Sequence, residues 1–192
     1  MIIGIQCGRG SVNEKACNEF CRKRNISEYK VKYLISTENV LNELNRGKID
    51  LGIFAVKSSR AGLVKETQEA IKKYPFKKID EINLDIDHAI LGIKKLNNGQ
   101  YRQIISPPHA LMEHEKYIRK QYPNARFIKT KDTALVAERL KKGKYDSKTL
   151  IISPKTSAKL YQLKIIEDNM PTNKGYYTTF YLVKKSSALN KH

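Results

Sequence analysis

The strongest constraint on the fold is the run Leu51-Gly52-Ile53-Phe54-Ala55-Val56, in which every residue is apolar or glycine. It is too short for a helix and has the continuity of a strand buried on both faces. Such a strand belongs in a sheet covered on both sides. The run stops at Lys57-Ser58-Ser59-Arg60-Ala61-Gly62, and a second apolar set follows at Leu63, Val64, Thr67, Ala70, Ile71 and Tyr74 with helical spacing. Ligands gather in arrangements of strand, polar turn and helix, because the helix start offers unpaired N–H groups beyond the strand's carboxyl end. Two hydroxyls and two cations in this turn suit a small anion. A plain solvated turn has the same composition.

The same alternation runs through the chain. Residues 2–6 read as a strand, and Cys7-Gly8-Arg9-Gly10-Ser11 as a glycine turn before a helix capped by Ser11 or Asn13. Residues 30–35 are the next strand. Ser36 or Thr37 then caps a helix carrying Val40, Leu41 and Leu44, which Gly47 stops. Residues 78–94 form a long extended stretch holding two strands. Strands at 102–105, 126–130 and 149–152 follow, each leading into a helix opened by Ser106-Pro107-Pro108, by Thr130 or Asp132, and by Ser153-Pro154. Strands at 163–166 and 177–183 close the pattern, and 186–192 read as a frayed tail. The class is α/β. Because the rhythm restarts after about residue 82, two lobes with a cleft are expected: 1–82 plus 164–192, and 83–163.

A chain of 192 residues can bury a core as one domain or as two small lobes. No apolar run approaches a membrane span, and MIIGIQCG lacks the basic region and long apolar stretch of a signal peptide, so a cytoplasmic location is expected. Cys17 and Cys21 share a helix face with Ala16 and Phe20 and read as small buried residues rather than metal ligands. The 37 Lys and Arg against 19 Asp and Glu give a charge of +18, a field that attracts polyanions. The cations are scattered, as at Arg22-Lys23-Arg24, Lys72-Lys73 and Lys141-Lys142, without a nucleic-acid motif. A solvated lysine-rich surface is the simpler reading, and nucleic acid is not the expected partner. Gly8-Arg9-Gly10 lacks the third glycine of a dinucleotide fingerprint but suits a carboxylate at a helix start. His88 beside Ala89-Ile90-Leu91 reads as a core histidine. His109 and His114 are too far apart for one helix face, and HExxH and GxSxG are both absent. No metal or cofactor is expected.

Several of these turns, taken in order, resemble the motifs of the prephenate dehydratase family. GPxGTFSExA corresponds to Cys7-Gly8-Arg9-Gly10-Ser11-Val12-Asn13-Glu14-Lys15-Ala16, and PIENSxxG to Ala55-Val56-Lys57-Ser58-Ser59-Arg60-Ala61-Gly62. LPIxHxLL resembles Leu84-Asp85-Ile86-Asp87-His88-Ala89-Ile90-Leu91, and SHPQAL resembles Ser106-Pro107-Pro108-His109-Ala110-Leu111. STAxAA is similar to Asp132-Thr133-Ala134-Leu135-Val136-Ala137, AxxYGL to Ala158–Leu163, and NxTRF to Tyr176-Tyr177-Thr178-Thr179-Phe180.

The resemblance implies a two-lobe fold of the type II periplasmic-binding-protein kind with a ligand cleft, and conversion of prephenate to phenylpyruvate, water and carbon dioxide without a cofactor. It implies Thr178 as the group assisting departure of the ring hydroxyl. The substrate-binding set it implies is Ser11, Arg9, Lys57, Ser58, Ser59, Ser106, Thr133, Thr179 and Phe180. The expected partner is a small anionic carboxylate ligand, with a homodimer and a separate ACT-domain regulator as further options. The departures fall on the motif chemistry. The Glu and Asn of PIENS are Lys57 and Ser58, the Arg of TRF is Thr179, the His of SHP is Pro107, and the Asn before TRF is Tyr176. A hydroxyl does not replace a bidentate guanidinium without loss, but Lys57 and Arg9 keep the pocket cationic. Three readings are open: a diverged prephenate-processing lyase, a carboxylate-binding module that has lost the chemistry, and, from composition alone, a nucleic-acid-associated protein. Retention of the TRF threonine as Thr178 favours a dehydratase over a prephenate decarboxylase.

Overall fold

The computed structural model describes residues 1–59, 61–106, 108–130, 133–168, 170 and 176–186, without side chains at 109, 112, 113, 133 and 134. In chain order the elements begin with β1 (Ile2–Ile5), α1 (Val12–Lys23), β2 (Lys30–Tyr33), α2 (Thr37–Asn45) and β3 (Leu51–Ser58). Next come β4 (Gly62–Leu63), α3 (Lys65–Lys73), β5 (Phe76–Asp85), β6 (His88–Gly92), β7 (Gln103–Ser106) and α4 (Pro108–Gln121). The last are β8 (Arg126–Lys129), α5 (Thr133–Lys141), β9 (Thr149–Pro154), α6 (Lys155–Tyr161), β10 (Lys164–Glu167) and β11 (Tyr177–Lys185).

The chain divides into two compact units. One is Met1–Gly8, Val12–Asp85 and Gly175–His192, and the other is Arg9–Ser11 with Ile86–Lys174. The first holds the sheet β2-β1-β3-β11-β5, with the short β4 on β3. β1 is parallel to β3, whereas β11 is antiparallel to both β3 and β5. The carboxyl ends of β1, β3 and β5 therefore meet the amino end of β11 at one end of the sheet.

β3 is buried along Leu51–Phe54, as an apolar run in a central strand should be. One face of its sheet packs on α1 through Ile3, Ile5, Ala16, Phe20, Ile53, Phe180 and Leu182. The other packs on α2 and α3 through Val40, Leu41, Leu44, Phe54, Ala70 and Val183. Gly4 and Gly52 are opposite each other in the β1–β3 pair. A Cβ on Gly52 would stand 2.8 Å from Val40 Cγ1 and 3.1 Å from Val183 Cγ2, so its bare backbone is what lets α2 settle on the sheet. Ser36 caps α2, accepting from the Asn39 N–H at 3.1 Å, and Gly47 ends the turn beyond it at φ 69°.

The second unit holds the sheet β10-β6-β9-β7-β8. β6 and β9 are buried along their whole lengths. Two apolar layers flank them, one including Tyr101, Ile118 and Tyr122, the other Val136, Leu140 and Ala158. Two expectations need correction. Residues 164–167 do not return to the first lobe: β10 pairs antiparallel with β6, where Ile166 packs against Gly92. Only β11 returns. Ser153-Pro154 does not open α6 as a serine cap either. Both residues belong to β9, the helix starts at Lys155, and the Ser153 hydroxyl donates to Ser157 Oγ at 3.0 Å. Asp132, a candidate cap for α5, lies outside the described residues.

Candidate functional site

Two of the sequence motifs meet at the end of the first sheet, the stretch 55–62 closing β3 and the stretch 176–180 opening β11. Register fixes the neighbours. Thr178 on β11 is opposite Ser58 on β3 and Leu84 on β5, while Thr179 is opposite Lys57 and Asn83. Side chains alternate across a strand, and cross-strand partners share a face. Phe180 lies in the α1-side core with partly buried Ile82 and Leu84, and partly buried Tyr181 packs with the core on the α2–α3 side. Thr178 and Ser58 therefore share the α1 face, and Thr179, Lys57 and Asn83 share the other.

This refines the expected site. Lys57 and Thr178 are neighbours at one sheet end, but they are presented on opposite faces. A one-residue register shift on β3 between its pairs with Thr179 and Phe180 leaves Val56 as an extra residue, and it is packed into the α2–α3 core beside Lys57. On the β1 side of β3, the Gln6 side-chain oxygen accepts from the Ala55 N–H at 3.1 Å. On the same face, Thr67 donates to the Ala55 carbonyl at 2.7 Å and its hydroxyl meets that of Thr37 at 2.9 Å. Glu66 accepts from the Thr37 N–H at 2.8 Å, a carboxylate at the start of α2.

The turn after β3 is held by the hydroxyls that the sequence assigned to a ligand. Ser58 Oγ accepts from the Ala61 N–H at 3.2 Å. Ser59 ties the turn to β11 twice, its N–H donating to the Tyr177 carbonyl at 2.9 Å and its Oγ accepting from the Tyr177 N–H at 3.0 Å. Both bonds brace the strand one residue before Thr178. Arg60 lies outside the described residues.

The glycine turn is fixed from its carbonyl side. Tyr161 donates to the Arg9 carbonyl at 2.9 Å, and Thr156 and Ser157 each donate to the Gly10 carbonyl at 3.2 Å. Gly10 has φ 81°, a conformation that favours glycine, and a Cβ there would lie 2.9 Å from Leu160 Cδ2, the movable end of an exposed side chain. Nothing in the sequence pointed to a role for Thr156 and Ser157, whereas Tyr161 lies in the stretch similar to AxxYGL. Arg9 is exposed and Ser11 is 4% exposed, directly before α1. Asn13, in the first turn of α1, is 5% exposed, and its Oδ1 has no hydrogen-bond partner among the described residues.

Other expected residues stand elsewhere. Ser106 is fully buried and donates to the Ile152 carbonyl at 3.0 Å, joining β7 to β9. Phe180 is a core ring, 1% exposed, so it supports Thr178 from below rather than offering a surface to a ligand. Thr133 opens α5, and its side chain is outside the described residues, as is Pro107. Among the described residues no group of His, Cys, Asp and Glu could hold a metal ion.

A family model for prephenate dehydratase matches residues 3–188. The chain belongs to the prephenate dehydratase family. A prephenate dehydratase from Methanocaldococcus jannaschii is 28% identical over 187 residues, covering 96% of this chain and 65% of that protein. This family member thus spans less than two thirds of that relative's length. The fold agrees: a prephenate dehydratase from Arthrobacter aurescens, solved in complex with L-Phe, superposes with a TM-score of 0.83 at 18% identity, covering 100% of this chain and 62% of that one. A periplasmic substrate-binding protein of an ABC transporter from Coxiella burnetii superposes with a TM-score of 0.55 at 14% identity, covering 96% and 84%. The two-unit α/β architecture is thus shared with periplasmic binding proteins. Among the described residues no helix is long and apolar enough to cross a membrane.

Proposed function

We propose that this family member is a diverged lyase acting on prephenate or a similar small dicarboxylate, working in the cytoplasm. The observation that carries the reading is Thr178: it holds the TRF position at the sheet end where three strands finish, on the face that packs against α1. A hydroxyl there suits protonation of a leaving ring hydroxyl. The carbon–oxygen bond breaks as water departs, the bond to the ring carboxylate breaks as carbon dioxide, and its electron pair completes the aromatic ring of phenylpyruvate. The protein's task is to position the acid and deliver one proton, which solvent restores. Ser11 and Arg9 precede the start of α1, where unpaired N–H groups favour a carboxylate.

The test is incubation with prephenate while phenylpyruvate is followed spectroscopically. Thr178→Val should lower kcat by roughly 100-fold or more, the scale of a lost general acid, while KM changes little. Wild-type turnover no faster than the spontaneous reaction would remove the lyase reading. A second reading, a carboxylate-binding module without chemistry, draws on Lys57 and Thr179. The two positions that depart from the family's charged residues face each other directly. Stabilisation by phenylpyruvate without prephenate turnover would favour it.

A further inference from the structure

Three polar side chains form a row across three adjacent strands at the candidate site. Lys57 on β3, Thr179 on β11 and Asn83 on β5 are successive cross-strand neighbours on the face opposite Thr178. Strands stand about 5 Å apart, so Lys57 and Asn83 flank Thr179 closely enough for both to reach one group above it. The Thr179 hydroxyl donates to Asn83 Oδ1 at 2.7 Å. That bond orients the amide: its oxygen is occupied, and its Nδ2 protons are directed away from Thr179. Lys57 and Asn83 are both exposed. Among the described residues Lys57 has no carboxylate partner, and Asn83 Nδ2 has no acceptor.

The row therefore presents a cation and two amide protons around one oriented hydroxyl, with no acid inside it. Acids bound it along β5. Glu81, two residues before Asn83 on the same face, is occupied by Lys78 at 2.9 Å, and Asp85, two residues after, is exposed. One cation with two amide protons matches the single charge of a carboxylate group, and the acids flanking Asn83 on β5 oppose the denser charge of phosphate. We infer that Lys57, Thr179 and Asn83 form a carboxylate seat, in which Asn83 is a binding residue held in place by Thr179. This rests on the small-acid reading proposed above and adds Asn83 to it. The sequence gave no sign of Asn83, because only strand register brings residues 83 and 179 together.

The experiment follows the side-chain amide signals of Asn83 by nitrogen-15 NMR while the whole protein is titrated with phenylpyruvate, with prephenate turnover measured on the same preparation. The Asn83 amide pair should shift and saturate. Lys57→Met and Asn83→Asp should each raise Kd by roughly tenfold or more, the scale of a lost charge-assisted bond. Thr179→Val, which frees the amide but leaves both donors, should weaken binding less than either. Inorganic phosphate should leave the signals still. Circular dichroism melts of each variant separate lost binding from lost fold. A motionless Asn83 amide overturns the seat even where prephenate is turned over, and the lyase reading then survives alone. A saturating shift without turnover supports the seat and removes the lyase reading. Neither shift nor turnover removes both.

Discussion

The three cysteines divide by environment. Cys17 and Cys21 are 0% and 3% exposed, packed with Ala16 and Phe20 under the first sheet, whereas Cys7 is half-buried just beyond β1. Burial pushes both core thiols up from the ordinary value of 9.0, and at Cys17 the neighbouring Cys21 raises it further. The reactive species is the thiolate, so at pH 8 these two are protonated as well as shielded. A disulfide-exchange reagent at pH 8 should modify Cys7 first and reach Cys17 and Cys21 only with unfolding. Modification of all three at one rate in the native protein would contradict this burial. The same helical spacing in the sequence pointed to buried cysteines, because i, i+4 positions must share a face whatever the helix packs on. Thr178 and Lys57 were less legible. Each motif fixes local chemistry, but the face on which a side chain emerges depends on the parity of the strand, and the extra residue Val56 changes that parity within β3.

At the scale of elements, two packing contacts hold the first unit's layers to one another. Gly52 sits under α2, and the atoms a Cβ would meet belong to two valines, whose branched side chains have little freedom to move aside. Gly52→Ala should cost about 1 to 3 kcal/mol by overpacking, read as a lower denaturation midpoint at unchanged slope. The edge strand β5 is tied to the end of α1 through Asp80, which meets Lys23 Nζ at 2.7 Å and Arg24 at 3.3 Å. The hydrogen bond from Lys23 is the main reason the Asp80 carboxyl is held below its ordinary 3.8. A carboxyl lowered in the folded state contributes stability above its unfolded value and loses it as pH falls through the folded one. Asp80→Asn should therefore be less stable than wild type by about 1 kcal/mol at pH 7, with the gap closing below pH 4. A gap that persists at pH 2.5 would assign the loss to packing instead. Helix starts and stops were readable here because Ser36 and Gly47 act locally. Ser153 misled because the serine–proline pair fits a strand end as well as a helix start, and the buried β9 needed both residues.

At the scale of the molecule, the alternation of strands and helices gave the α/β class, since each covered strand must be followed by something that covers it. Strand partners were beyond reach. The four-residue β10 reads like any short apolar strand, and its assignment to β6 is decided by which edge is open. Charge acts over the whole chain regardless of topology. With 37 Lys and Arg against 19 Asp and Glu, repulsion among like charges is reduced by expansion, so it opposes the compact state. The ion pairs seen are mostly short links between exposed groups, such as Arg22–Glu19 and Arg119–Glu115, each of small worth and screened by salt. Added salt removes a little of that attraction and more of the net repulsion, because the Debye length falls from about 30 Å at 0.01 M to about 10 Å at 0.1 M. The midpoint of thermal unfolding should therefore rise by several degrees between 10 and 200 mM sodium chloride. A midpoint that falls over this range would mean that the paired charges, not the surplus, govern the electrostatic stability of this fold.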